Sequence, residues 1–302
     1  MHLRSENSAA AWAALCESMP AACGELPSSP PPTSATELIA LLDEANLQGG
    51  AILSLGYFFG FPELTGSPFS DKQLVREENQ FVADQAALFP SRLAGFFSVN
   101  PLADYAVDEV RFWAPRPELA GLKLHLANSN VDLRNVDHLE RLSELFGLLD
   151  ENQAAAVVHL RNRSPDYGYA DATAFIDKVL VPAPDVVVQI AHMGGWGGYD
   201  EATDSALQAF VDAMADGRLD RNRIYFDLAA VVLPGTSAEQ LDQLGQRIEE
   251  IGPGRILFGT DWDALETPAK TRQSLATLDF VDADAWAIII ANRAPWLIES
   301  RE

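Results

Sequence analysis

Five residues of this 302-residue chain, His125, His159, His192, Asp227 and Asp261, recur at intervals of 34, 33, 35 and 34 positions. Imidazole and carboxylate are the ligand types suited to Zn²⁺ and its first-row neighbours, and either can carry a proton near neutral pH. Asp261 raises the question most sharply. It follows the apolar Ile256, Leu257 and Phe258 in "GRILFGTDWDAL" (254 to 265), where an ionised carboxylate costs several kcal/mol unless it is paired or bound to a metal. A single strand-end histidine is more often a structural hydrogen-bonding residue than a ligand. Three of the five histidines in such positions, with an acid on the same period, point instead to one shared site.

The elements that must position them are legible as apolar runs. These are "GGAILSLG" (49 to 56), "RLAGFFSVN" (92 to 100), "LAGLKLHL" (119 to 126), "AAAVVHL" (154 to 160), "DVVVQIAHMG" (185 to 194), "RIYFDLAA" (223 to 230) and "RILFGTD" (255 to 261). Runs that are nearly continuous in apolar residues read as parallel strands buried on both faces. Helical stretches lie between them, such as 136 to 152 and 237 to 252, each opening near a residue that can cap. A doubly wound sheet would show the same alternation but would rarely end five successive strands in ionisable residues. A (β/α)₈ TIM-like barrel gathers its strand ends at one mouth, where the active sites of such barrels lie. Seven strands are clear, so the first of the eight is expected to be truncated or incomplete.

Length and composition suit one barrel domain over residues 1–302, with an irregular Pro/Ser-rich segment around 23–37. With 21 Lys plus Arg against 44 Asp plus Glu, the net charge is −23 and the basic residues are scattered. Nucleic acid and anionic membranes are therefore unsuitable partners, and a small-molecule substrate is expected. Whether copies of the chain form a homo-oligomer is left open by the sequence. Cys16 and Cys23 form no Cys-x-x-Cys motif; free thiols, or at most one local disulfide, are expected. No apolar run reaches the length of a membrane span, and the N-terminus lacks a secretory pattern, so a cytoplasmic location is the expectation.

"QIAHMGG" (189 to 195) followed by "ILFGTDWD" (256 to 263), with "GLKLH" (121 to 125) and "VVHL" (157 to 160) upstream, resembles the amidohydrolase superfamily. The closer likeness is to its amidohydrolase-related branch of metal-dependent hydrolases, lactonases and non-oxidative decarboxylases. It extends over residues 49 to 298, including the closing "WAIIIANRAPWLI". The resemblance implies that His159 is a metal ligand, that Asp261 is a ligand or proton shuttle, and that His192 is the catalytic base or a ligand of a second metal. It implies one divalent metal ion, with Zn the best candidate and Mn or Fe as alternatives. In that family the first strand ends in Asp-x-His-x-His, and "MHL" matches only its end, so His2 is expected beside His159 and Asp261 as a remaining ligand.

Other residues have weaker claims. Lys123 and His125 share a strand face and could contact substrate, and Lys123 could also form a metal-bridging carbamate or pair with an acid. Arg161 could clamp a substrate carboxylate or neutralise an acidic loop. Trp196 and Trp262 could wall a flat substrate or only pack loops, and Asp227 reads as a support for its neighbours. The combined expectation is a metal-dependent hydrolase of a small organic acid, lactone or amide. Decarboxylation of an aromatic or unsaturated acid in the same site, and a catalytically lapsed barrel acting as a binding or interaction protein, are the alternatives.

Overall fold

In the computed structural model, which describes residues 1–18 and 29–297, seven strands form one parallel sheet in chain order. They are β1 (Gly50–Leu53), β2 (Leu93–Ser98), β3 (Gly121–His125), β4 (Ala155–His159), β5 (Val188–Ile190), β6 (Ile224–Asp227) and β7 (Ile256–Leu257). The helices are α1 (Glu6–Ser18), α2 (Ala35–Glu44), α3 (Lys72–Ala87), α4 (Ala106–Trp113), α5 (Val136–Glu151), α6 (Tyr169–Phe175), α7 (Glu201–Ala215), α8 (Ala238–Ile251), α9 (Pro268–Ala276) and α10 (Ala283–Ala291). At least one helix follows each strand, which lets a short chain return to the same end of the sheet for the next parallel strand. The result is an incomplete TIM barrel.

Local signals account for these elements. Every residue of β2 and β4 is buried, as expected for strands covered on both faces. Helix α5 starts where Asn135 accepts hydrogen bonds from Asp137 N and His138 N, and it buries Leu139, Leu142, Leu145, Phe146 and Leu149 along one stripe. Helix α8 opens with a capping box between Ser237 and Gln240 and stops at Gly252, whose φ of 95° favours glycine. Of the expected irregular segment 23–37, residues 23–28 lie outside the described residues, 29–34 are irregular, and 35–37 already belong to α2. Cys16 is buried in α1, and Cys23 lies outside the described residues.

The sheet does not pair β7 with β1 directly. Met1 and His2 bridge the seam: Leu53 N donates to Met1 O (2.9 Å), His2 N donates to Trp262 O (2.6 Å), and His2 pairs with Leu53 in parallel register. Below that bridge the seam stays open as a cavity of about 510 Å³ whose lining includes Gly50, Ala51, Lys123, Asp227 and Leu257. The main core lies between sheet and helices, while α1 packs Ala11 and Leu15 on Tyr57, Phe58 and Phe59, just beyond the C-terminal end of β1.

Two expected strands are shorter than their apolar runs, and the difference bears on the site. The run 185–194 yields only β5, and the chain then turns through His192 (φ 58°) and Met193 (φ 53°). The run 255–261 yields only β7, and Asp261 lies four residues past its end with φ 52°. Left-handed backbone at non-glycine residues costs about 1–3 kcal/mol each and is held by its surroundings.

Candidate metal centre and its surroundings

The C-terminal ends of the strands bring His2, Lys123, His125, His159, His192 and Asp261 to one mouth. β3 and β4 pair His125 with His159 in register, and their rings stack with centroids 3.8 Å apart. The His192 ring meets that of His159 edge-on at 5.0 Å. Across the seam, His2 Nε2 lies 3.8 Å from Asp261 Oδ1.

Hydrogen bonds fix the faces these rings present. His2 Nδ1 lies 3.0 Å from Leu53 O, and His192 Nδ1 lies 2.7 Å from Ala229 O. A carbonyl only accepts, so each Nδ1 carries the hydrogen and Nε2 is the ring nitrogen left to face other groups. His125 is the converse: Asn128 N donates to its Nδ1 at 3.3 Å. His159 is almost fully buried, and its Nε2 has no hydrogen-bond partner among the described residues.

Burial pushes His2 down to about 3 against the pull of Asp261. It drives His125 and His159 well below the ordinary imidazole value, helped by Lys123 beside the first and by His125 beside the second. Desolvation disfavours the charged form, so these rings are neutral at pH 7; His2 keeps a free Nε2 lone pair, whereas the lone pair of His125 is taken by Asn128 N. Burial works the other way on Asp261, but His192, His2, the amino terminus and Lys123 outweigh it and hold the carboxyl below its usual range. Lys123, 2% exposed, is lowered to about 8 by burial, with Asp261 and Asp227 opposing.

This donor set suits a divalent cation in chemistry: imidazole nitrogens, one ionised carboxylate, and a buried His159 Nε2 that no described residue satisfies. Its assembly is partial. Among the described residues, no group of three or more His, Cys, Asp or Glu side chains is placed to hold a metal ion. His159 is drawn into its stack with His125, and the left-handed turn carries the His192 ring to Ala229. The assembled part is His2 with Asp261.

The surrounding residues divide. Trp196 is 53% exposed and stands edge-on to His159 (5.8 Å) and His125 (6.5 Å), forming a wall of the mouth. Trp262 is buried in the main core, so the two tryptophans differ in setting although both follow a motif. Arg161 is engaged within the protein: its Nη1 donates to both oxygens of Asp200, at 3.0 and 2.8 Å. Of the two roles expected for it, neutralising a loop acid is the one on display. Gly195 lets that loop close, since a Cβ there would come within 2.6 Å of Thr203 Oγ1, a neighbour of Asp200.

Sequence reasoning missed Tyr57, whose ring is 5.3 Å from that of His125, and Asn128. Both lie in loops just past strand ends, the position that singled out the histidines. It also missed the pairing of Arg4 with Asp263 (2.7 Å), for which sequence carries no local signal.

Solved structures of similar fold include three that span most of this chain. An amidohydrolase from Burkholderia multivorans with bound zinc is 15% identical, with a TM-score of 0.59, covering 96% of this chain and 94% of that one. A probable 2-pyrone-4,6-dicarboxylic acid hydrolase from Acinetobacter baumannii, with citric acid bound, is 15% identical at a TM-score of 0.53, covering 96% of each. A 5-carboxyvanillate decarboxylase from Novosphingobium aromaticivorans, complexed with manganese and 4-hydroxy-3-methoxy-5-nitrobenzoic acid, is 14% identical at 0.56, covering 86% and 79%. At these identities the likeness is one of fold. Comparison with curated proteins gave no match. The family model described as Amidohydrolase matches residues 70–286. That span is most of the sequence, and the chain belongs to the amidohydrolase family.

Proposed function

We propose that this chain is a metal-dependent hydrolase of a small organic acid, lactone or amide, with His2, His159 and Asp261 as the residues that would hold a single divalent ion. The observation that carries this reading is the 3.8 Å approach of His2 Nε2 to Asp261 Oδ1, together with a buried His159 Nε2 that has no partner among the described residues. An ion bound there supplies Lewis-acid polarisation of a substrate oxygen and lowers the pKa of a water molecule. Zinc suits imidazole and carboxylate donors, and the similar structures hold zinc in one case and manganese in another.

The chain's own residues supply the proton handling. His192, with Nδ1–H committed to Ala229 O, keeps Nε2 as the acceptor of a general base. Asp261 stays anionic, so it can orient a cation or receive a proton only transiently. Trp196 offers a flat apolar wall for the substrate, and His125 and Lys123 face the same mouth.

Decarboxylation is the second reading, favoured by buried Lys123, a cation that could hold a substrate carboxylate. The family resemblance to solved enzymes of both kinds accommodates either outcome. Metal analysis of protein purified without chelators, followed by a panel of lactones, amides and aromatic carboxylates, tests both. Near-stoichiometric zinc, manganese or iron with ring opening or amide cleavage supports hydrolysis, and CO₂ release supports decarboxylation. Well under one equivalent of metal, with no gain on reconstitution, leaves a lapsed barrel that binds without reacting.

A further inference from the structure

The two segments that meet at the seam are linked at three successive points. His2 Nε2 faces Asp261 Oδ1 at 3.8 Å, His2 N donates to Trp262 O at 2.6 Å, and Arg4 Nε donates to Asp263 Oδ2 at 2.7 Å. His2 and Arg4 are two residues apart, as are Asp261 and Asp263, so the two side-chain pairs share one register.

Arg4 is well anchored. Its main chain exchanges hydrogen bonds with Thr33, Arg4 N donating to Thr33 Oγ1 (2.8 Å) and Thr33 N donating to Arg4 O (2.9 Å). Its guanidinium lies 5.7 Å from the Trp12 ring centre. The side chains of Arg4 and Asp263 are only 10% and 11% exposed, so solvent screens their charge-assisted bond far less than a surface pair. His2, by contrast, meets β1 at Leu53 alone, through its bridge and through Nδ1 on Leu53 O (3.0 Å), with no charge-assisted bond of its own among the described residues. The anchored pair also neutralises Asp263, leaving Asp261 as the carboxylate of the "DWD" segment that is free to face a cation.

We propose that the Arg4–Asp263 pair is a brace that sets the spacing of the His2–Asp261 pair, making Arg4 a positioning residue for a cation held there. The cation part of this rests on the function proposed above, whereas the brace itself does not.

The test combines zinc titration calorimetry with amide hydrogen exchange of the metal-free protein, on wild type, Arg4→Met, Asp263→Asn, the double variant and Arg4→Lys. Arg4→Met and Asp263→Asn are each expected to weaken zinc binding about tenfold, the usual cost of losing a group that orients a ligand. The double variant should be no weaker than either single one, and Arg4→Lys should recover part of the loss. In the metal-free protein the same two substitutions should speed exchange at the His2 and Leu53 amides severalfold, while amides in β4 keep their protection. A folded Arg4→Met protein with unchanged zinc affinity and unchanged exchange overturns the proposal. Faster exchange with unchanged zinc affinity overturns the positioning role and leaves a plain structural tie. If wild type takes up no zinc, or His2→Ala takes up as much as wild type, the metal reading fails on its own, and the exchange rates still decide the brace.

Discussion

The carboxylate of Asp227 holds the main chain of His192 and not its ring: Oδ1 accepts from His192 N at 3.1 Å, while the nearest ring nitrogen is 4.0 Å away. The same oxygen accepts from Ala229 N (3.0 Å), and Oδ2 accepts from Gln189 Nε2 (2.5 Å). One buried acid therefore ties the end of β5 to the loop after β6 and holds the left-handed turn that presents His192.

Asp227→Ala removes the acceptor for two buried N–H groups, each costing roughly 1–3 kcal/mol when left unsatisfied. Urea denaturation should show a stability loss of about 2–4 kcal/mol. Asp227→Asn keeps an acceptor oxygen and should lose less than half of that. Equal losses in the two variants would show that charge, rather than hydrogen bonding, is what the turn needs.

His192→Ala should abolish turnover, a loss of at least a hundredfold for a positioned base, with metal content nearly unchanged. Asp261→Ala and His159→Ala should lose metal as well as activity. Metal analysis of the three variants decides this. If all three lose metal equally, His192 is a ligand and its role as base is wrong.

For Arg161, pairing with Asp200 changes the expected kinetics. With side chains 23% and 46% exposed, the pair is worth no more than about 1 kcal/mol. Arg161→Ala should lower Tm slightly and alter KM for neutral and carboxylated substrates to the same degree. A rise in KM confined to carboxylated substrates would restore the carboxylate clamp.

Glu78 gives the protein a pH dependence of defined sign. Burial on α3 raises its carboxyl from the ordinary 4.5 to about 7, with hydrogen bonds from Ser5 and Ser8 opposing. A raised carboxyl stabilises the fold most below its unfolded value and loses that contribution as pH climbs through the folded value. Wild type should therefore lose roughly 2–3 kcal/mol relative to Glu78→Gln between about pH 4.5 and 7.5. Unfolding free energies of both proteins across that range check it, and a constant difference would rule it out.

Much of the scaffold could be read from composition and period, because strands covered on both faces must be almost wholly apolar. The runs containing β1 to β7, and the helices α5 and α8, lie where their patterns place them. The departures are at chain reversals. In "QIAHMGG" the two glycines mark a turn but not that it begins at His192 and Met193, since the left-handed backbone there is held by Asp227 and Ala229, 35 and 37 residues away. Sequence left Arg161 open between a carboxylate clamp and a loop neutraliser because Asp200 is 39 residues distant, and left Trp262 open between a wall and packing because its burial depends on the whole core. The candidate site was thus legible in its residue types, and its geometry was set by partners far along the chain.

The bond between Arg4 and Asp263 spans 259 positions. During synthesis the chain grows from its N-terminus, so His2 and Arg4 are made before β1 to β7, and Asp261 and Asp263 after all of them. The strands themselves can pair in order as they appear, each with the one before. The His2–Asp261 pair cannot form until the last strand and the residues after it have been made, because its two halves flank the seven strands in the sequence. A nascent chain that stops short of Asp261 therefore carries the strands and none of the His2–Asp261 pair, so the pair closes only after the sheet it spans.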